Sequence, residues 1–389
     1  MKILIGCSTL DLQYKLGCTP SWWQLFKALH EIGDEVIVVP YLGDPVESLW
    51  WRTYANPCSS ESKIYNWYLE KKQARGKLSQ HHAKPESVFN RFIEKYIRTK
   101  WEKHLLTIVN KERDIDALLF INIPLNHIKG IASKIKSEYS IPVAYFDGDM
   151  PTILPKYAVD RGFKFNYYTN ADLSEYDAFF SNSKGVIPDL KELGARNIHP
   201  LYYAADPELF KPVNIEKTID ISFYGHGSEL REEWMKIMIT QPSKRLLTRS
   251  FSAGGINLNI SLGNAKTAGY MSYSEFRRFC CQSKICLNIT RWSHTSVYAS
   301  STARPFELAA FGACVVSQPY TGIEEWFEMG KEMVIAHDEN EVLSIYQELL
   351  DSDEKREKMG ECARLRILKD HTYKKRAETI NSVLEKIHP

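Results

Sequence analysis

Three stretches in the second half of this 389-residue chain combine residue types that can bind phosphate and ribose hydroxyls. The first, residues 224–228, is Tyr-Gly-His-Gly-Ser. Glycines let backbone N–H groups approach a phosphate, and the N-terminus of a following helix favours negative charge. Arg231 lies one turn into the helix expected here. The residues expected at the phosphate, with a tight turn as the alternative, are Gly225, His226, Gly227 and Ser228.

The second stretch, residues 301–307, has Arg304 and Glu307 three positions apart, near one face of a helix expected to start around Pro305. A guanidinium can bind diphosphate, and a carboxylate accepts hydrogen bonds from ribose hydroxyls. An ion pair at the helix start is the alternative. The third stretch, residues 319–324, offers another helix N-terminus to a phosphate, with Tyr320, Thr321 and Gly322.

Each stretch follows a predicted strand, and ligands of doubly wound sheets bind at the carboxyl ends of the strands. The three strands are residues 219–223, 285–289 and 314–316. An earlier alternation of strands and helices predicts strands at 2–7, 36–39, 117–121, 143–146 and 178–180. The pattern indicates an α/β protein of two units. We place the boundary in the proline-containing junction near residues 206–217.

The composition excludes several classes of protein. The chain carries 50 Lys or Arg and 48 Asp or Glu, unlike a histone-like or an acidic disordered protein. No apolar run reaches the roughly 18 residues that a membrane span needs. We interpret residues 1–5 as a strand and not as a signal peptide, because the apolar stretch is short. Eight cysteines without a Cys-x-x-Cys pair favour reduced thiols in the cytoplasm.

The near-neutral total conceals one basic segment. Residues 63–113 contain 13 Lys or Arg and 5 Asp or Glu, a local net charge of +8. Apolar residues at helical spacing between Phe89 and Ile108 predict a long amphipathic helix within it. The basic side chains are either a solvated helix face or contacts for an anion. The residues we assign to anion contact are Lys71, Lys72, Arg75 and Lys77.

The order of these motifs resembles the GT-B glycosyltransferases, in particular the spore-maturation-protein (CgeB-type) group related to family 4, or group 1. The resemblance is best over residues 178–380, and the first 110 residues match only in outline. The sequences that carry it lie at 179–185, 201–210, 220–225, 284–288, 304–313 and 371–376.

The resemblance implies two Rossmann-like doubly wound domains facing a cleft. Residues 1–212 would form the acceptor domain, with the basic helical insertion at about 41–112. Residues 213–370 would hold the nucleotide-sugar, and a last helix at 371–389 would cross back to the first domain.

The implied reaction transfers a sugar from a UDP-, GDP- or dTDP-sugar to an acceptor hydroxyl, with retained stereochemistry and no bound cofactor. By analogy Glu307 binds the donor ribose, while Arg304, Thr321-Gly322 and the 225–228 loop lie near the diphosphate. The residues expected to flank the base are Tyr270, Met271 and Tyr273. Charge on the leaving diphosphate would be stabilised by Arg304, Arg231 and Arg291.

Asp147 and Asp149 follow a predicted strand of the first unit. They could bind acceptor hydroxyls or supply the base of an inverting enzyme. They also mimic the metal-binding Asp-x-Asp of another glycosyltransferase fold, but they lie outside the donor domain, so we expect no metal. One departure concerns Ala299, since family 4 enzymes usually have a second glutamate at this position, eight residues before Glu307.

The acceptor expected first is a glycan or a lipid-linked or other surface glycoconjugate, which the basic segment would meet at an anionic surface. A peripheral contact with the inner membrane face would accompany a lipid-linked acceptor. DNA, the acceptor of some phage enzymes of this fold, ranks behind because no base-reading motif is recognisable. Two alternatives to a glycan transferase are a sugar-nucleotide 2-epimerase and a catalytically degenerate protein that only binds the nucleotide-sugar.

Overall fold

The computed structural model describes residues 1–10, 20–61, 88–154, 156–157, 168, 170–227 and 230–387, with backbone alone at 88–94. The chain divides into two compact units. The first comprises Met1–Leu12, Leu25–Leu201 and Ala377–Pro389, and the second comprises Gln13–Gln24 and Tyr202–Arg376. Each unit is built on one parallel sheet with helices.

The first unit has a seven-stranded sheet in the order β3-β2-β1-β4-β5-β6-β7. Its strands are β1 (Lys2–Thr9), β2 (Glu35–Leu42), β3 (Arg52–Thr53), β4 (Ala117–Ile121), β5 (Val143–Asp147), β6 (Ala178–Ser181) and β7 (Ile198–Pro200). Its helices include α2 (Val88–Glu112), α3 (Ile131–Tyr139) and α4 (Ile187–Glu192), together with α1 (Ser21–Glu31), of which the residues up to Gln24 belong to the second unit. The central strands are apolar and buried, as expected where helices cover both faces of a parallel sheet.

The long helix expected from the apolar spacing is present as α2. Trp101, Leu105 and Ile108 are buried on it, whereas Tyr96, expected on the same face, is 43% exposed. The four cationic residues assigned to anion contact, at positions 71, 72, 75 and 77, lie outside the described residues.

The strand β2 continues through Pro40 to Leu42, three residues beyond the expected end at residue 39. Its edge neighbour β3 pairs only with Ile37 and Val38. Pro40 therefore lies where β2 has lost one neighbour, and the missing proline N–H is tolerated there.

The second unit has a six-stranded sheet in the order β10-β9-β8-β11-β12-β13. Its strands are β8 (Ile219–His226), β9 (Phe251–Ile256), β10 (Lys266–Ala268), β11 (Ser283–Asn288), β12 (Cys314–Ser317) and β13 (Val334–Ile335). Its helices include α5 (Glu232–Met235), α6 (Gln241–Arg245), α7 (Tyr273–Cys281), α8 (Trp292–Thr295), α9 (Ala303–Ala310), α10 (Glu339–Leu350) and α11 (Asp353–Asp370). The last helix, α12 (Tyr373–Ile387), starts in the second unit and continues in the first.

The expected helix over 229–239 differs from the observed one. A π-helical turn, Lys236–Thr240, separates α5 from α6. Pro242 has no N–H to donate to the carbonyl of Met238, so the α-helical hydrogen-bond ladder cannot continue there. The Tyr346 hydroxyl donates to this carbonyl instead, at 2.8 Å.

The last part of the unit is helical, with breaks at Asp351 and His371. Side chains of Asp338 and Ser352 accept backbone N–H bonds at the starts of α10 and α11. Within the described residues, no helix is both long and apolar enough to cross a membrane.

The pairing of β8 with β9 requires glycine at position 255. Gly255 has φ +123°, and a Cβ there would lie 1.8 Å from the carbonyl oxygen of Gly225. We expect Gly255→Ala to lower the free energy of unfolding by at least about 2 kcal/mol, because strain and overlap add. Urea unfolding of the full chain measures this change.

Gly269→Ala is the matched control, since no atom lies within 4 Å of a Cβ at this exposed position. It should change stability by less than about 0.5 kcal/mol. Equal losses in the two variants would contradict the proposed backbone contact.

Candidate functional site

The carboxyl ends of β8, β11 and β12 adjoin one another in the second sheet. From β8 the chain continues to β9 on one side, while β11 lies on the other, so β8 and β11 flank the topological switch point. Ligands of doubly wound sheets bind at such points. Arg231 follows β8, Arg291 follows β11, and Tyr320 follows β12.

A buried ion pair on α9 lies beside this edge. The Arg304 Nη1 donates to Glu307 Oε2 at 2.8 Å, and the Glu307 side chain is 1% exposed. A buried carboxylate is costly without a cationic partner, so this pair fixes both side chains. The interpretation as an ion pair at a helix start is thus correct, although α9 starts at Ala303, ahead of Pro305.

The other carboxylate oxygen, Glu307 Oε1, is buried and has no hydrogen-bond partner among the described residues. Leaving such an oxygen unpaired is unfavourable, and a hydroxyl donor from a ligand would remove the penalty. This oxygen is the strongest indication of a binding site in the second unit.

Two aromatic rings also contact the Arg304 guanidinium. Its Cζ lies 4.3 Å from the ring centroid of Phe276 and 5.6 Å from that of Tyr224. Such cation–π contacts stabilise a partly desolvated arginine. Because Phe276 is on α7 and Tyr224 is on β8, the ion pair is anchored by three different elements of the unit.

The same Tyr224 positions the stretch expected to flank a base. Its hydroxyl accepts the Met271 N–H at 3.0 Å and lies 3.2 Å from the Met271 carbonyl oxygen, to which it can donate. Burial raises the pKa of Tyr273, and the charge of Glu307 adds to this shift, so these side chains are neighbours. Tyr270 is 54% exposed. Met271 is therefore bonded to the tyrosine whose ring contacts Arg304.

A second cluster combines Arg231, Arg291, His294 and Tyr320. Arg291 Nε donates to His294 Nδ1 at 3.1 Å, and His294 is 1% exposed. Burial lowers the pKa of His294 far below its usual range, and the charges of Arg291 and Arg231 lower it further. Burial also raises the pKa of Tyr320, against the opposing effect of the same two arginines. Both guanidinium groups thus lie within electrostatic reach of one buried imidazole and one buried phenol.

Arg231 does not lie one turn inside a helix as expected. It directly precedes α5, which starts at Glu232. The sequence 229–231 suggested an earlier start, but Leu230 has a positive φ of 62°, which interrupts a helix.

The glycines of the 225–228 stretch serve backbone packing. β8 continues to His226, so Gly225 and His226 belong to the strand and not to a loop. A Cβ at Gly227 would lie 2.6 Å from the Asn257 carbonyl oxygen. His226 Nε2 lies 2.9 Å from Asn257 Nδ2. Ser228 is outside the described residues.

The third stretch also differs from expectation. Only a single 3₁₀ turn, Ile323–Glu325, follows Gly322, and the Thr321 N–H already donates to the Thr295 carbonyl at 2.9 Å. Gly322 has φ +84°, and a Cβ there would lie 2.1 Å from the Ala299 nitrogen. The expected helix N-terminus is absent from this described segment, and the glycine is explained by its close approach to Ala299.

Asp147 and Asp149 lie at the carboxyl end of β5 in the first unit. Asp147 is fully buried, and its two oxygens accept the Tyr168 hydroxyl at 2.6 Å and the Asp149 N–H at 2.9 Å. Asp149 is half-buried, and its Oδ2 accepts Asn122 Nδ2 at 3.2 Å. Of the two carboxylates, Asp149 is therefore the one with a side chain accessible to a substrate.

Burial, with the nearby charge of Asp149 as a second cause, raises the pKa of Asp147 to about 7. Among the residues that the structure describes, no group of three or more His, Cys, Asp or Glu side chains could hold a metal ion.

A family model described as "Glycosyl transferase-like" matches residues 208–382. This range contains the ion pair on α9 and the cluster around His294. Over this range the chain is therefore similar to glycosyl transferases. No curated protein matches the chain by sequence.

Solved structures similar to this chain have the GT-B fold, with two Rossmann-like α/β units. Sucrose-phosphate synthase from Thermosynechococcus elongatus has a TM-score of 0.65 at 11% identity, over 100% of this chain and 99% of that chain. Anabaena HepE in complex with UDP-glucose has a TM-score of 0.62 at 12% identity, over 99% of this chain and 100% of that chain. The DNA modifying enzyme beta-glucosyltransferase has a TM-score of 0.56 at 13% identity, over 99% of this chain and 100% of that chain.

Sequence reasoning did not single out four residues that contact the candidate side chains of the two units. Phe276 supports Arg304, His294 holds Arg291, and Asn122 and Tyr168 bond to the aspartates. Asn122 directly follows β4 and could have been found by the rule that predicted Asp147. The others act through contacts that spacing along the chain does not encode.

Asp147 gives the stability of the protein a defined pH dependence. Its pKa rises from 3.8 to about 7 on folding, so the folded state binds the proton more tightly than the unfolded chain. The stabilisation from Asp147 is complete below about pH 4 and is lost as the pH rises to about 7. Asp147→Asn removes this loss, and its amide can still accept from Asp149 N–H and donate to the Tyr168 oxygen.

Relative to wild type, Asp147→Asn should gain up to about 3 kcal/mol of unfolding free energy between pH 5 and pH 7. Urea unfolding at both pH values measures the difference. Asp114→Asn, which removes an exposed carboxylate of the same unit, is the control and should follow wild type. A pH dependence of Asp147→Asn that parallels wild type would refute the shift.

Proposed function

We propose that the protein transfers a sugar from a nucleotide-diphospho-sugar to an acceptor hydroxyl, with the donor bound by the second unit. The observation that carries this proposal is the buried, unpartnered oxygen of Glu307 beside the edge that carries Arg231 and Arg291. A nucleoside diphosphate has the matching groups: ribose hydroxyls that donate and a diphosphate that needs positive charge. The family match over residues 208–382 and the UDP-glucose bound by Anabaena HepE support the same donor class.

In this proposal Glu307 Oε1 accepts a hydrogen bond from a ribose hydroxyl. The carboxylate is suited to this because it is only an acceptor, and the bond from Arg304 to Oε2 leaves Oε1 to the ligand. Residues 270–273, attached to Tyr224 next to the pair, would flank the base. Arg304 thus acts first by holding the carboxylate, and its charge adds to the field at the neighbouring diphosphate.

The diphosphate is assigned to Arg231 and Arg291. When the bond between the anomeric carbon and the phosphate oxygen breaks, its electron pair stays on the oxygen of the leaving diphosphate. Fixed guanidinium groups stabilise this developing charge more than the ground state and so accelerate the step. His226, Gly227, Ser228, Tyr320 and Thr321 are assigned to the rim of this site.

We propose a retaining reaction and membership of the spore-maturation-protein (CgeB-type) group. Ala299, at the position of the second family 4 glutamate, supports the group. Its side chain is fully buried against Gly322, and its φ is +46°. A glutamate there would bury a charge at a strained backbone position, which is unfavourable. In a retaining reaction Asp149 binds the acceptor hydroxyl, whereas in an inverting one it would take the proton.

We place the acceptor, a glycan or a lipid-linked glycan, at the first unit. The support is chemical: a half-buried carboxylate at the end of β5 can accept from a sugar hydroxyl, and the segment 63–113 has a net charge of +8. Anionic lipid would attract such a segment by roughly 1 kcal/mol per Lys or Arg. DNA is the second acceptor to be tested, since one similar structure is a DNA modifying enzyme.

The donor class is tested by a thermal-shift panel of UDP, GDP, dTDP and their sugars. A ligand at one hundred times its Kd adds about 2.7 kcal/mol to the stability of the folded state. At least one of the nucleotides should therefore raise Tm. The absence of any shift with the whole panel would refute the proposed function.

Removing the Glu307 carboxylate should lower the affinity for the nucleotide about 10- to 100-fold. This factor corresponds to the free energy of one hydrogen bond to a charged group. Glu307→Gln and Glu307→Ala are compared with wild type by calorimetry, using the nucleotide from the panel and its 2′,3′-dideoxy analogue. Wild type should prefer the ribose form, and the variants should not.

Glu348→Gln, an exposed carboxylate on α10, is the control and should retain the wild-type preference. An unchanged preference for ribose in Glu307→Gln and Glu307→Ala would defeat the ribose assignment. Their Tm values show whether the variants are folded.

The acceptor assignment is tested by replacing the four cationic residues Lys71, Lys72, Arg75 and Lys77 with glutamine. The product yield on an anionic or lipid-linked acceptor should fall about tenfold or more because the attraction is lost. Binding of the donor nucleotide should not change. The control replaces four exposed lysines of α11 and α12: Lys358, Lys369, Lys374 and Lys375. A loss of donor binding in the first variant, or equal losses of yield in both, would contradict the assignment.

A further inference from the structure

The first unit has a topological switch point of its own. From β1 the chain continues to β2 on one side, while β4 lies on the other, so β1 and β4 flank it. Tyr41 lies at the carboxyl end of β2, and His127 ends the 3₁₀ turn that follows β4. The Tyr41 hydroxyl is hydrogen-bonded to His127 Nδ1. Since β2 and β4 are the two neighbours of β1, this bond passes over the carboxyl end of β1, where doubly wound sheets bind ligands.

The imidazole of His127 is held on one side and open on the other. The ring centroid of Tyr41 lies 5.8 Å from that of His127 and 5.7 Å from that of Trp101, which is fully buried on α2. The His127 backbone N–H donates to the Pro124 carbonyl at 2.9 Å. Its Nε2 has no hydrogen-bond partner among the described residues and is not enclosed by the protein. The ring therefore presents one fixed nitrogen to a ligand.

The charge of the ring restricts the chemistry of that ligand. Burial lowers the pKa of His127 to about 4, so the imidazole is neutral near pH 7 and offers no ion pair to a phosphate or a carboxylate. Its Nε2 carries either a proton or a lone pair, depending on whether the Tyr41 hydroxyl or Nδ1 donates in the bond between them. A hydroxyl group both donates and accepts, so it matches either form. A neutral, hydroxyl-rich ligand such as a sugar fits this site.

The connection that carries His127 also holds Asp149, the carboxylate assigned to the acceptor. Asn122, the first residue after β4, donates from Nδ2 to Asp149 Oδ2 at 3.2 Å. Its Oδ1 accepts the Gly148 N–H at 2.7 Å. One short segment, residues 122–127, thus fixes a carboxylate at one end and a neutral imidazole at the other. Both groups belong to the carboxyl edge of the same sheet, where they can meet different hydroxyls of one glycan.

We propose that His127 Nε2 binds a hydroxyl group of the acceptor glycan at the switch point of the first unit, in addition to the reacting hydroxyl at Asp149. This inference rests on the proposed function, because it takes the acceptor to be a glycan bound by the first unit. It adds a neutral contact to the acceptor, which differs in kind from the electrostatic attraction assigned to the basic segment.

The first test uses the full chain with isotope-labelled histidine, observed by NMR. The probes are the methyl glycosides of glucose, galactose, mannose and N-acetylglucosamine. At least one of them should shift the ring resonances of His127, which are identified by their loss in His127→Gln. The resonances of His30, an exposed histidine on α1, should not move. If no glycoside shifts the resonances of His127, the proposal is wrong.

The second test separates the two nitrogens of the imidazole. In His127→Asn the amide lies near the place of Nδ1 and can keep the bond to Tyr41, but nothing replaces Nε2. In His127→Gln the amide reaches the place of Nε2 and gives up that bond. By calorimetry, His127→Asn should bind the glycoside about fivefold more weakly than wild type, the effect of one hydrogen bond, and His127→Gln should stay within about twofold.

The Tm values should rank in the opposite order, because His127→Gln loses the bond to Tyr41. If His127 only supported the fold, affinity would follow Tm and His127→Gln would be the weaker binder, which would overturn the proposal. His30→Asn is the control and should bind as wild type does. If His127→Asn does not fold, His127→Ala replaces it, with the same loss expected relative to His127→Gln.

The outcomes distinguish this inference from the proposed function. If a glycoside shifts the resonances of His127 but no nucleotide of the donor panel binds, the proposed function is refuted and the hydroxyl site is not. If a nucleotide binds and no glycoside affects His127, only the role of His127 is refuted.

Discussion

The site in the second unit depends on keeping one carboxylate charged while it is almost completely buried. Glu307 is 1% exposed, and Arg304 makes this possible by bonding to one of its oxygens. The arginine is itself held against the rings of Phe276 and Tyr224. Because Tyr224 also bonds to the backbone at Met271, the strand, two helices and the loop before α7 are all fixed by this one pair. Replacing either Arg304 or Glu307 would leave the charge of the other without its partner.

The arginines of this unit have two kinds of partner, and the difference has a chemical consequence. Arg304 is paired with a carboxylate, so its charge is largely offset within the protein and its main effect is geometric. Arg291 donates from Nε to the buried imidazole of His294 at 3.1 Å. The two acceptors differ in charge: the carboxylate both orients and offsets Arg304, whereas the imidazole accepts from Arg291 as a neutral group.

Close backbone contacts impose a second constraint on the same edge of the sheet. Gly255 lies against the carbonyl of Gly225, and Gly322 lies against Ala299. These contacts leave no room for a Cβ, and they explain glycines that sequence patterns alone would assign to phosphate loops. The position at which family 4 enzymes usually have a glutamate is therefore part of a packed turn in this protein. Donor contacts must come from other residues.

The alternation of apolar strands and amphipathic helices was sufficient to predict two α/β units, because burial on both faces of a parallel sheet needs long apolar runs. The order of short motifs after β8, β11 and β12 predicted that the side chains following these strands share one edge of the sheet, and the strand order agrees. The pairing of Arg304 with Glu307 also followed from their spacing on a helix. Only the tertiary structure determined that Glu307 Oε1 lacks a partner, that His294 accepts from Arg291, and that Tyr168 buries Asp147. These facts depend on burial and on contacts between distant segments, which the types and spacing of neighbouring residues do not specify.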